Sequence, residues 1–99
     1  MTTFIYYFIP EDNENENKMN IFIIYKNYKD IRLQDIKDNF PLKGEYYFRF
    51  KFEFMEKNVW IDFNNPVGAL PKYDDKIIMK VTRLSEENKP IDKSPEFPF

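Results

Sequence analysis

The amino-acid sequence predicts an α+β fold in which one helix packs against a mixed sheet of five strands. Five short segments are rich in β-branched and aromatic residues, and turn-forming residues separate them. Between the second and third of these segments, apolar residues recur at helical spacing. The chain also contains 11 phenylalanines and 7 tyrosines, so we expect aromatic rings to make up much of the core.

The first two predicted strands are apolar. Residues 3–9 (TFIYYFI) form a continuous apolar run, which is typical of a buried strand, and Pro10 ends it. The charged, asparagine-rich residues 11–18 predict a solvated hairpin loop, because the glycine and the ligand spacing of a calcium-binding loop are missing. Residues 19–25 (MNIFIIY) then predict a second strand that is apolar on both faces.

A single helix is predicted after the second strand. Leu33, Ile36 and Phe40 recur at helical spacing, with polar residues between them. Asp30 has the side chain expected of an N-cap, and Arg32 is the alternative residue at the boundary. Pro41 should end the helix, because proline disfavours helical geometry in the residue that precedes it.

The third and fourth predicted strands differ in what they expose. Residues 46–54 (YYFRFKFEF) alternate strictly between phenylalanine and polar or charged residues, which predicts one buried face and one solvated face. In residues 58–63 (NVWIDF), the same alternation places Val59 and Ile61 on the buried face. It places Trp60, the only tryptophan, on the outer face beside Asp62. An exposed large aromatic residue on a strand is typical of a contact surface.

A last strand and the end of the domain are predicted near residue 84. Residues 77–84 (IIMKVTRL) predict a fifth strand, so residues 1–84 form the expected domain. Residues 85–99 are rich in charge and proline, which predicts a flexible tail or linker. The order β-β-α-β-β-β, with the helix between the second and third strands, describes a ubiquitin-like roll.

Composition excludes several classes of function. The chain has no cysteine and no histidine, which excludes disulfide scaffolds, the usual zinc sites and Cys/His or Ser/His catalysis. The formal net charge of −2 provides no general attraction to nucleic acid or to anionic membranes. We therefore predict no enzyme activity, no catalytic residue, no bound metal and no cofactor.

Two alternatives remain less favoured by the sequence. The aromatic and basic residues of the third strand are compatible with stacking on single-stranded RNA, but their phenylalanines share one face, which favours a core position. The adjacent carboxylates Asp74 and Asp75 lie in a predicted turn without an accompanying base, so they do not indicate an enzyme.

No apolar run reaches the roughly 18–20 residues of a membrane helix, and the N-terminus lacks the basic region of a signal peptide. We therefore expect a cytoplasmic protein.

Four sequence landmarks follow one another along the chain: Ile5-Tyr6-Tyr7 before an acidic turn, residues 31–37 (IRLQDIK), residues 46–51 (YYFRFK) and Leu70-Pro71. In this order they resemble those of a DIX domain, the polymerising module of Dishevelled and Axin, in which the second is similar to I-T-L-x-D-F-K and the third to Y-F-F-K. The resemblance covers about residues 4–84. Three features depart from the family: Arg32 replaces a capping threonine, Trp60 stands where the animal proteins tend to carry lysine, and the first loop is longer.

The resemblance implies head-to-tail polymerisation, in which the fourth strand of one copy pairs with the second strand of the next. Such polymers cluster signalling or polarity complexes in cytoplasmic or cortical puncta, with other DIX domains as further partners. In a ubiquitin-like roll these two strands lie at opposite edges of the sheet, where each exposes unpaired backbone groups. Contact between two different edges gives an open filament unless its rotation closes a ring.

The candidate interface residues lie on these two strands. On the fourth strand they are Val59, Trp60, Ile61 and Asp62. On the second strand, one register must face outward, and the expected residues are Asn20, Phe22, Ile24 and, close by, Lys26. We expect Asp62 to meet Lys18 or Lys26 of the neighbouring copy.

Alternatives to these interface assignments stay open. The second strand is also compatible with a position covered on both faces, and Trp60 with packing on the loop that follows its own strand. The alternative function is that of a monomeric ubiquitin-like adaptor, which would bind a different protein through the same edges.

Overall fold

The computed structural model describes residues 1–84, and the predicted tail at residues 85–99 lies outside the described residues. The strands and the helix are β1 (Thr3–Phe8), β2 (Asn20–Ile24), α1 (Leu33–Asn39), β3 (Tyr46–Phe54), β4 (Lys57–Asp62) and β5 (Ile77–Arg83). Short 3₁₀ turns at Pro10–Asp12 and Tyr28–Asp30 precede β2 and α1. The predicted α+β class, with one helix and a mixed five-stranded sheet, is confirmed.

The strands are arranged across the sheet in the order β2-β1-β5-β3-β4. β1 and β5 pair in parallel, whereas β1–β2, β5–β3 and β3–β4 pair in antiparallel. The hairpins β1–β2 and β3–β4 therefore flank the central strand β5, and the chain crosses from one hairpin to the other through α1. This arrangement is consistent with a ubiquitin-like roll, and it leaves β2 and β4 at the two edges.

The core lies between α1 and one face of the sheet, which we call the inner face. Its most buried side chains come from β1, α1, β3, β5 and the residues that directly follow β1 and precede α1, and they are Ile5, Ile9, Ile31, Leu33, Ile36, Phe50, Ile77, Met79 and Val81. Most of these are aliphatic, so the expectation of a core made largely of rings is only partly correct. The rings gather instead at the C-terminal end of α1, where Phe40 packs edge-on against Tyr7, Phe22, Tyr46 and Phe48 at centroid distances of 5.0–5.8 Å.

Different interactions determine where α1 begins and where it ends. Arg32 occupies the N-cap position, and its backbone N–H donates a 2.9 Å hydrogen bond to Oδ2 of Asp35. The prediction that Asp30 caps the helix is wrong, because Asp30 belongs to the preceding 3₁₀ turn. The helix ends at Asn39, and Phe40 before Pro41 is extended (ψ 128°), as the sequence predicted.

Candidate self-association edges

The open edge of β2 carries no charge. β2 pairs with β1 in a register that runs from Thr3–Ile24 to Tyr7–Asn20, and within residues 1–84 its other side has no strand partner. Its sequence, NIFII, contains no charged residue and no proline. Proteins commonly protect edge strands with charge, proline or a bulge, because an unprotected edge exposes a row of backbone donors and acceptors. β2 is therefore able to accept another strand.

The predicted side chains of β2 lie on the inner face. Ile24 belongs to the core and is 4% exposed, and Phe22 is partly buried against Tyr7 at a centroid distance of 5.8 Å. Asn20 is partly buried, and its Nδ2 donates a 2.8 Å hydrogen bond to Glu14. The expectation that Asn20, Phe22 and Ile24 face outward is wrong, because their partners on β1 belong to the register that faces the core. The role of β2 in an interface stays a prediction.

The opposite register of β2 exposes a small apolar surface. Ile21 and Ile23 are 55% and 40% exposed, and Phe4, the β1 partner of Ile23, is 51% exposed. We call these three residues the edge patch. They lie on the outer face of the sheet, which is the face opposite α1. Sequence reasoning did not name these residues. The signal that could have found them is the absence of charged residues from a strand at the edge of the sheet.

The open edge of β4 carries Trp60 on the outer face. β4 pairs only with β3 among the described strands, and Trp60 lies opposite Lys51. The indole packs edge-on against Phe8 at 5.6 Å between centroids, and Nζ of Lys80 lies 5.9 Å from the ring. The side chain is partly exposed rather than enclosed, while Val59 and Ile61 are partly buried on the inner face. Trp60 therefore packs on strand residues of its own sheet.

Comparison with known proteins identifies the family of this chain. A model of the DIX domain matches residues 1–81, which is most of the chain. The chain belongs to the DIX domain family. DIX domains are protein interaction and polymerisation modules that act as scaffolds, and they are not a family of enzymes. They self-associate and bind other DIX domains. No curated protein sequence matched the chain.

Charged side chains near the two edges of this DIX domain have partners within the same copy. Nε of Arg49 lies 3.0 Å from Oδ1 of Asp62, and Nζ of Lys26 lies 2.9 Å from Oδ1 of Asp35. A hydrogen bond with Asp62 also raises the pKa of Tyr47. The cross-copy contact expected for Asp62 and Lys26 would therefore compete with these pairs. Exposed ion pairs contribute only about 0–1 kcal/mol, so charge is a weak source of affinity here.

The described part of the DIX domain contains few features of other kinds of site. Among residues 1–84, no group of three or more histidine, cysteine or acidic side chains is placed to hold a metal ion. The helices within the same residues are too short or too polar to cross a membrane. The two open strand edges are the candidate functional surface, because they are unpaired among the described strands and the chain belongs to a family of interaction domains.

Proposed function

We propose that this DIX domain polymerises reversibly from head to tail, with the β4 edge of one copy adding to the β2 edge of the next. The observation that supports this most directly is the uncharged, apolar edge strand β2, with Ile21 and Ile23 exposed. Such an edge is expected to aggregate or to pair unless it has a strand partner. The opposite edge offers one, since β4 is also unpaired on its outer side among residues 1–84.

The two edges differ in sequence, so the contact between them is heterologous and leaves one free edge at each end of every open assembly. A contact made by two short strands is small, and we expect a dissociation constant on the order of micromolar for one joint. Repetition along a filament raises the effective concentration of any binding module attached to the domain. We propose that the filament in this way clusters signalling or polarity complexes in cytoplasmic or cortical puncta, with other DIX domains as additional partners.

Blocking one edge at a time tests this proposal. Ile21→Asp places a carboxylate at an exposed position of β2, so the fold should be retained. Trp60→Asp alters β4, and it also removes the contact with Phe8, so its fold must be checked by circular dichroism. Each variant should sediment as a monomer, because burying an unpaired charge in the joint is unfavourable. A mixture of the two variants should form heterodimers and nothing larger.

A matched control is available in the loop after β4. Val67 is 75% exposed and lies outside both edges, so Val67→Asp should assemble as the natural chain does. Sedimentation velocity over about a hundredfold range of concentration provides the measurement. A natural chain that sediments as a monomer throughout this range would favour the monomeric adaptor. Assembly of Ile21→Asp at the natural level would exclude β2 as the receiving edge.

A further inference from the structure

Two cationic side chains, which we call the cation pair, lie near each other at the start of α1. They are Arg32, at the N-cap of α1, and Lys72, which lies between Leu70 and β5. A bridge between the backbones of Arg32 and Ala69 brings these two distant segments of the chain together. The positive charge of Arg32 acts on Lys72. The cation pair is therefore produced by the tertiary fold and not by a basic stretch of sequence.

Neutral groups orient both members of the cation pair. Nη1 of Arg32 donates a 3.0 Å hydrogen bond to the carbonyl oxygen of Lys29. Nζ of Lys72 donates a 3.1 Å hydrogen bond to the carbonyl oxygen of Leu70, and it lies 5.8 Å from the centre of the Tyr28 ring. Carbonyl oxygens and aromatic rings hold a cation in place but carry no net charge. Both positive charges are therefore positioned without being neutralised.

The described carboxylates do not neutralise the pair either. Among residues 1–84, neither Arg32 nor Lys72 forms an ion pair. Asp35 interacts with Arg32, but its carboxylate already accepts hydrogen bonds from the backbone N–H of Arg32 and from Lys26. Burial and the positive charge of Arg32 lower the pKa of Lys72. An anion bound between the two cations would relieve their repulsion.

The free donors of the pair suit an anion with several oxygens. In the described part of the chain, Nη1 is the only side-chain nitrogen of Arg32 with a hydrogen-bond partner, so Nε and Nη2 remain available. This edge of a guanidinium group binds two oxygens of one carboxylate or phosphate. The ammonium of Lys72 has three N–H donors, and Leu70 accepts from it once. A phosphate monoester, with a charge of about −1.5 to −2 at pH 7, matches two cations better than a carboxylate does.

We propose that Arg32 and Lys72 together bind a phosphate monoester carried by a side chain of a partner protein. A membrane is less favoured, because recognition of anionic lipids typically involves about four to eight basic residues. The pair offers two, close in sequence to Asp30 and Asp35, in a chain of net charge −2. A partner protein also suits a family of protein interaction domains. This inference does not depend on head-to-tail assembly and adds a phosphate-dependent binding site to it.

NMR titration of the full 99-residue chain can test this site, at a concentration at which the chain sediments as a monomer. The probes are a short peptide with one phosphoserine between glycines, the same peptide with serine, the same peptide with glutamate, and inorganic phosphate. We expect the phosphoserine peptide to shift backbone amide signals of residues 28–33 and 69–73. The serine peptide should shift none of them, and the glutamate peptide should bind at least about tenfold more weakly, because it carries less charge.

Variants of the pair provide the second measurement. Arg32→Gln and Lys72→Gln each remove one charge and keep a side chain that can form hydrogen bonds. Each should weaken binding of the phosphoserine peptide at least about tenfold, whereas Lys72→Arg should retain it. The matched control is Lys43→Gln, which makes the same change of net charge at an exposed position between α1 and β3. We expect it to bind within about twofold of the natural chain. The amide spectra also report whether each variant is folded.

Several results would overturn the inference. Equal weakening by Lys43→Gln would show a general effect of charge, and equal affinity for the glutamate peptide would show a preference for carboxylates. Binding of inorganic phosphate without the phosphoserine peptide would exclude a protein-borne ligand. Binding only to vesicles of phosphatidylcholine and phosphatidic acid would assign the pair to a membrane. The glutamine variants should sediment as the natural chain does, so failure at this site would leave the head-to-tail proposal unaffected.

Discussion

At the level of single residues, Asp35 replaces the side chain that usually caps a helix. The N-cap residue Arg32 has no side-chain acceptor, so it cannot bind the free N–H groups of the first turn. Asp35 instead accepts a hydrogen bond from the backbone N–H of Arg32, and Nζ of Lys26 donates another to it. Both hydrogen bonds lower the pKa of Asp35, and the one from the backbone of Arg32 has the larger effect. The start of α1 therefore depends on a carboxylate.

Asp35→Ala should reduce the free energy of unfolding by about 1 kcal/mol near pH 7, in line with the loss of other helix caps. The pKa of Asp35 is lower in the folded state than in the unfolded state, so its contribution is complete above the unfolded value of about 4. The contribution is lost as the pH falls through the folded value. Urea denaturation at several pH values should therefore show the difference between the two proteins narrowing below about pH 4.

The control for this prediction is Asp38→Ala, in the same helix. Asp38 accepts a hydrogen bond from Gln34 on the exposed side of α1 and does not cap the first turn. We expect this variant to change stability by less than about 0.5 kcal/mol. Equal losses in the two variants, or an Asp35→Ala difference that persists at low pH, would show that the carboxylate does not stabilise the start of the helix in this way.

At the level of elements, the buried face of a strand can be predicted from its sequence when only one face is apolar, but not when both faces are. The bounds of β3 agree with the strictly alternating residues 46–54, because only one register places its phenylalanines in a core. β2 is apolar on both faces, so its sequence does not distinguish the inner register of Phe22 and Ile24 from the outer register of Ile21 and Ile23. That choice is made by pairing with β1.

Trp60 shows a second limit of sequence reasoning. Alternation in β4 correctly placed its side chain on the outer face, opposite Lys51. Its contacts with Phe8 and Lys80 come from strands that are distant in the sequence, and they appear only when the order of strands across the sheet is known. The candidate site was therefore predictable as a pair of strands, but the outward-facing residues of β2 were not.

The hairpin between β3 and β4 contains an unfavourable loop sequence. Met55 and Glu56 both have positive φ (51° and 65°), a combination typical of a type I′ turn, in which Asn-Gly is preferred. Both side chains are exposed, so replacing them removes no buried contact. The variant Met55→Asn/Glu56→Gly should raise stability by about 1 kcal/mol and Tm by about 4–8 °C, since left-handed backbone is costly for ordinary side chains. Thermal unfolding followed by circular dichroism provides the measurement.

A second turn in the same protein provides the comparison. Asp74 and Asp75 also have positive φ (52° and 60°), between Tyr73 and Lys76, whose backbones exchange two 2.8 Å hydrogen bonds. Aspartate tolerates left-handed backbone better than methionine or glutamate. Asp74→Asn/Asp75→Gly should therefore stabilise the protein by less than half as much as the first variant. A larger gain at this turn, or none at the hairpin, would contradict the explanation from backbone strain.

At the level of the whole molecule, several charged side chains pair with one another within the copy, while the β2 edge carries no charge. Lys51 pairs with Glu16 and Arg83 with Asp12, in both cases joining a strand to the segment between β1 and β2. Two further pairs engage charges near the edges, Lys26 with Asp35 and Arg49 with Asp62. β2 itself contains only asparagine, isoleucine and phenylalanine. Backbone pairing and apolar contact are therefore the main sources of affinity available at this edge.

Assembly should accordingly depend little on salt. Raising NaCl from about 0.05 M to about 0.5 M screens exposed charges but leaves apolar burial nearly unchanged, so the dissociation constant of one joint should change by less than about threefold. Any change should favour assembly, because each copy carries a formal net charge of −2 and like charges repel. The variant Ile21→Lys provides the contrast, since it places a cation at the β2 edge, which the proposed joint brings near Asp62, the one acidic side chain of β4. Its weaker assembly should lose affinity as salt rises. Sedimentation equilibrium measures both proteins, and a tenfold or greater loss of affinity in the natural chain would mean that charges between copies, rather than the apolar edge of β2, hold the filament together.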